Sequence, residues 1–185
     1  MSQEVSRSND DFIQHHFKVH NGEIPLWVQV EVMSFGTLSK IIKNLEKDSY
    51  RELAHYYKYI SINGNYIVPS IKTFSSWIYS VSVLRNICAH NGRIYNRTMN
   101  ITPEILKIDK YNKSGRIGVY PIILAMKYLR PTNGEWEHFI KKLISLFEKY
   151  KDIIKLSCMS FPRDWEMHLN DNYMKSLDES AVSRE

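Results

Sequence analysis

An arginine and a histidine separated by four residues are the side chains here whose types and spacing suit a reaction. They sit in the run Leu84-Arg85-Asn86-Ile87-Cys88-Ala89-His90-Asn91-Gly92-Arg93-Ile94-Tyr95-Asn96-Arg97. RNA is cut without a metal when a ribose 2′-hydroxyl attacks its own phosphate. The step needs a proton acceptor and a donor to the leaving 5′ oxygen, and histidine titrates near neutrality. The crowded phosphorane gathers negative charge, which a fixed guanidinium stabilises through two parallel hydrogen bonds. The carboxyl end of a helix favours positive charge, which suits an imidazole placed there. Arg85 and His90 are therefore the candidate catalytic pair, and Arg93 and Arg97 follow as candidate phosphate contacts. Tyr56, Tyr57, Tyr59, Tyr66 and Tyr95 are candidates for stacking on bases or for packing in a core.

With nine arginines and seven histidines, the bare spacing is easily met by chance, and it occurs twice. The second match, Arg163 to His168, follows Pro162 near the end of the chain on no long amphipathic element, so the first is preferred. His15, His16 and His20 have helical spacing for a metal, but no carboxylate or further ligand accompanies them, and no metal or cofactor is expected. Nucleotide-binding glycine loops, zinc-protease motifs and the serine-hydrolase elbow are absent.

At about 100° per residue, Arg85 falls within the apolar stripe of its helix, while Asn86 and His90 share another face. A buried arginine is costly unless paired or opened to a cleft. Glu31, on or beside the inward stripe of an earlier helix, is the candidate partner for a structural ion pair. Arg85 and His90 then stand about 140° apart on an ideal helix. They can meet if Arg85 curls around, if the last turn loosens, or if two chains bring their copies together in a symmetric dimer.

The elements that must carry these residues are helical. Ile71, Phe74, Trp77, Ile78, Val81, Leu84 and Cys88 mark one helix over about 70–90, ended by Asn91-Gly92. Cys88, on that stripe, is expected to be a buried thiol. Other helices are expected over 25–45, from a capping box at Ser49, over 117–129 with Pro121 near the start, and over 133–155. A short β excursion is expected around Tyr66-Ile67-Val68. The fold class is all-α, a bundle of about five or six helices. Residues 1–20 read as a polar segment, 21–170 as the domain and 171–185 as a polar tail.

A chain of 185 residues, 43% apolar and 24% charged, is enough for one core, and its net charge of +5 admits a polyanionic partner without demanding one. No apolar run approaches the roughly 18 to 20 residues of a membrane span, and Met1–Asp11 lacks the apolar stretch of a signal peptide. Two cysteines make no disulfide framework. The expectation is a cytoplasmic protein with no membrane association.

The run from Leu84 to Arg97 resembles the signature of the Abi-like (abortive infection) proteins of bacteria. Pro25-Leu26-Trp27 leading to Glu31 and Ser34-Phe35-Gly36-Thr37-Leu38-Ser39 is similar to that family's upstream motif, and Phe161-Pro162-Arg163-Asp164-Trp165 to its closing motif. The resemblance implies a HEPN-type helical domain with an Arg-polar-x3-His motif, often dimeric and in many members a metal-independent endoribonuclease. It implies Arg85 and His90 as catalytic, Asn86 as their support, and Arg93, Asn96 and Arg97, with Asn91 and Tyr95, at the RNA or in the structure around it. It further implies phage defence by shutting down the infected cell, in some members as a toxin with an RNA or protein antitoxin. Family members commonly carry a further helical region before the Pro-Leu-Trp stretch, so this chain resembles the C-terminal part of longer relatives. The alternative function is a non-catalytic dimeric module that holds RNA or protein, with Arg85 and His90 structural. A helix-turn-helix DNA binder is disfavoured because no helix shows a basic recognition face.

Overall fold

The computed structural model of the chain describes residues 3–61, 63–109, 117–130 and 133–170, so the expected tail at 171–185 lies outside the described residues. The fold is all-α apart from one small ribbon, and the chain gathers into two compact units, one up to Glu46 and one from Lys47 on. Among the described residues no helix is long and apolar enough to cross a membrane.

The first unit contains α1 (Gln3–Arg7), α2 (Asp11–Val19), α3 (Leu26–Val32) and α4 (Phe35–Lys43). The polar reading of residues 1–20 overlooked Val5 and Ile13, which are fully buried against Ile24 and Val28. Helix α1 has one apolar residue, and in α2 Ile13 and Phe17 span a single turn, too short a pattern to mark a buried face. The one helix expected over 25–45 is broken at Met33–Ser34. Ser34 takes an extended backbone (φ −67°, ψ 151°), and its hydroxyl accepts the Thr37 amide at 3.1 Å, which starts α4 afresh. The same hydroxyl donates to the Glu4 carboxylate at 3.0 Å, joining α1 to α4.

The second unit contains α5 (Lys47–His55), strands β1 (Tyr59–Ile60) and β2 (Tyr66–Ile67), α6 (Ile71–Ala89), α7 (Tyr120–Leu129), α8 (Asn133–Lys149) and α9 (Trp165–Leu169). The strands pair antiparallel, Tyr59 opposite Ile67, which is the expected β excursion. Helix α5 starts at Lys47, so Ser49 is an interior residue and not a cap. Helix α8 ends at Lys149, where a turn leads to a 3-10 segment at Leu156–Met159. Nine α-helices are thus present among the described residues. The excess over five or six comes from α1, α2, the split of α3 from α4, and the short α9.

Helix α6 is the longest, with Ser70 as its N-cap accepting the Thr73 amide at 3.1 Å. Phe74, Trp77, Ile78, Ser80, Ser82 and Leu84 are buried along it. Helix α7 is apolar on nearly every side and is correspondingly enclosed, with Tyr120 to Ala125 all buried. Leu84, Ile122, Leu124, Trp136, Ile140, Phe161 and Trp165 belong to one apolar cluster. On α8, Leu143 and Phe147 pack against that cluster, while Ile144 between them is exposed, as is Tyr150 just after the helix.

Two polar features lock the core. Asp109 and Lys127 are both buried and lie 3.8 Å apart, and the Tyr128 hydroxyl donates to the same carboxylate. Burial outweighs the favourable pull of Lys127, the Tyr128 hydrogen bond and His168, so the Asp109 carboxyl is held above its ordinary 3.8. At Gly118 the chain passes so close to the 3-10 segment that an added Cβ would lie 2.3 Å from the Met159 carbonyl, and the Gly118 amide donates to Ser160 Oγ at 2.7 Å.

Replacement of Gly118 by alanine should cost about 3 kcal/mol by overpacking against backbone, read from urea unfolding. Lys127→Met strands the buried carboxylate and should cost about 3 to 5 kcal/mol near neutral pH. Because a raised folded pKa makes the folded state bind the proton more readily, the cost applies while Asp109 is ionised and is relieved as pH falls toward its ordinary 3.8. Melting curves of both proteins across that range should converge at the acid end.

Candidate functional site

The last turn of α6 runs out of the bundle. Leu84 is its last buried residue, and Arg85, Asn86, Cys88, Ala89 and His90 are exposed, with Ile87 half-buried against the core. Arg85 does share the angular sector of Phe74, Ile78 and Val81, yet its side chain is exposed. A helical wheel assigns direction around the axis and not depth along it. Cys88 is exposed as well, contrary to the buried thiol expected.

Arg85 Nη1 donates to Asn86 Oδ1 at 3.2 Å. Asn86 and His90, four residues apart, lie on one side of the helix, and this bond turns the guanidinium toward the side that carries Asn86. The His90 amide still bonds the Asn86 carbonyl at 3.1 Å, so the last turn has not loosened. Glu31 lies in α3 of the first unit and Arg85 in α6 of the second.

The stop after His90 is built from backbone. Asn91 is left-handed (φ 52°) and its amide bonds the Cys88 carbonyl at 3.0 Å; the Gly92 amide bonds the Ile87 carbonyl at 2.7 Å. This is a Schellman closure with asparagine in the left-handed position. A Cβ on Gly92 would lie 2.8 Å from the Ile87 carbonyl oxygen, so glycine is required there. Asn96 is left-handed too (φ 53°), so the backbone accounts for both asparagines placed at the RNA by resemblance. Arg93 and Arg97 are exposed on either side of half-buried Tyr95. The Tyr95 hydroxyl accepts the Lys155 amide at 3.2 Å, a contact across 60 residues that no sequence spacing announces.

The other candidates are placed differently. Around the second match, His168 Nε2 meets Asp164 at 3.2 Å and the His168 carbonyl accepts from Lys127 Nζ at 2.7 Å, while Trp165 is buried. That stretch ties α9 to the core. Tyr57 packs on Phe74 and Tyr59 on Trp77 and Tyr128, whereas Tyr56 and Tyr66 are exposed. The rings of His15, His16 and His20 lie 5.0 to 6.0 Å apart. Among the described residues no group of three histidine, cysteine or acidic side chains is arranged to hold a metal ion.

A helical protein that presents an exposed Arg-Asn-x3-His turn at the end of its central helix is the class defined so far. The sequence model of one family, described as Abi-like protein, matches residues 1–96, just over half of the chain, and the chain belongs to that family. The match takes in the Pro25–Ser39 stretch and the motif up to Asn96, and stops before Arg97 and Phe161–Trp165. No curated protein and no solved structure matches the chain.

The conformational role of Asn91 separates it from the exposed arginines. Asn91→Gly should leave thermal stability unchanged, whereas Asn91→Val should cost about 1 to 2 kcal/mol, the penalty of a left-handed β-branched residue. Circular-dichroism melts of the two variants measure both.

Proposed function

We propose that this Abi-like chain is a HEPN-type, metal-independent endoribonuclease that acts as a toxin in bacterial defence against phage. The observation that carries this reading is an exposed last turn of α6 on which Arg85 donates to Asn86, with His90 one helical turn beyond Asn86. His90 would exchange the proton of the 2′-hydroxyl and the leaving 5′ oxygen. Arg85 would stabilise the charge on the phosphorane, and Asn86 would hold the guanidinium in place. The products are a 2′,3′-cyclic phosphate and a 5′-hydroxyl. Arg93 and Arg97 would hold the flanking phosphates. A homodimer with two such turns and an RNA or protein antitoxin complete the proposal.

The test is cleavage of labelled RNA in EDTA by the original chain, Arg85→Ala and His90→Ala. Loss of His90 should lower the rate by about 10² to 10⁴, with a comparable loss for Arg85→Ala. Equal activity in all three would remove the catalytic assignment and leave a module that holds RNA or protein.

A further inference from the structure

Two basic stretches lie far apart in sequence. Residues 93–97 hold two arginines and no acid, and residues 149–155 hold three lysines against one aspartate. The Tyr95 hydroxyl and the Lys155 amide, 3.2 Å apart, join the two at one point. Tyr95, Ile94, Ile154 and Leu156 all pack against the same apolar cluster, so the junction is held from beneath. Of the three lysines, Lys151 is bound to Glu148 at 2.6 Å and Lys149 lies over the Tyr150 ring at 5.3 Å from its centre. Lys155 is exposed beside the motif loop.

We infer that Lys155 is a further phosphate-binding residue, and that a single RNA strand bound at the motif turn continues over Arg93 and Arg97 onto the connection after α8. This deepens the ribonuclease reading and rests on it for the substrate class. Tyr95 is then a positioning residue: its hydroxyl fixes the Lys155 backbone and its half-buried ring is committed to the core. An extended strand suits such a rim better than a duplex, because successive phosphates can follow a groove lined by separate basic residues.

Binding is measured by fluorescence anisotropy with a 2′-O-methyl oligonucleotide of about ten nucleotides, which occupies the site without being cut. Each phosphate contact on a single strand contributes about 0.7 to the slope of log affinity against log salt. Lys155→Gln and Arg93→Gln should each reduce the slope by about that amount. Lys107→Gln is the charge-matched control. Lys107 is exposed in a 3-10 turn with Asp109, whose partner Tyr128 stacks on Trp77, about 20 Å along α6 from His90.

An unchanged slope for Lys155→Gln overturns the proposal, and so does an equal reduction by Lys107→Gln. No binding at all removes both this proposal and the RNA substrate. Binding with intact unmodified RNA removes the nuclease reading alone, and the salt slopes still decide the role of Lys155.

Discussion

Trp77 holds the central helix. Its indole N–H donates to the Glu104 carbonyl at 2.8 Å, and its ring stacks on Tyr128 at 5.1 Å. Ser76 accepts the Glu104 amide at 2.9 Å, and Lys72 pairs with the Glu104 carboxylate at 2.6 Å, so one residue of an irregular segment is gripped by three side chains of α6. A helix can expose its last turn and still present side chains in a fixed direction only if its earlier turns are held. The position of Arg85, Asn86 and His90 is inherited from that anchorage, about 20 Å away along a stiff rod. Tyr128 also donates to Asp109, so the anchorage is continuous with the buried Lys127–Asp109 pair.

Much of this was legible in the residues. Helix α6 could be read to within a residue at both ends, because Ser70 and Asn91-Gly92 are local signals whose geometry depends on few neighbours. The motif turn was legible for the same reason, as was Pro121 at the start of α7. What could not be read was depth and distance. Arg85 and Cys88 have the periodicity of core residues and are exposed, while Ile87 between them packs against the core. The break at Ser34 was obscured because Trp27, Val30, Leu38 and Ile41 keep helical spacing across it, and only the cap bond shows that the chain restarts. Contacts such as Asp109 with Lys127 and Tyr95 with Lys155 join segments with no shared pattern, so they follow from packing alone.

Within the motif the residues divide by task. Asn91, Gly92 and Asn96 are fixed by the backbone, two by left-handed conformation and one by the space beside Ile87. Arg85, His90, Arg93 and Arg97 have exposed side chains free to meet a ligand. Capping residues and exposed basic side chains alternate along one short run. It also separates the motif from the second arginine–histidine match, where the histidine is committed to Asp164 and to the tie between α7 and α9.

The closing segment has a consequence for the order of assembly. Met159 and Ser160 pack on Gly118, Phe161 and Trp165 fill the cluster beside Tyr120 and Phe147, and the Leu169 carbonyl accepts the Trp136 indole at 2.8 Å. The longest of these contacts, between Gly118 and Ser160, reaches back over 42 residues. Synthesis runs from the amino end, and contacts at long separation close only when both partners exist. The turn bearing His90 therefore leaves the ribosome well before the residues that complete its support. A growing chain carries the motif on a loosely held helix, and a firm platform arrives only once residues 159–169 have been made.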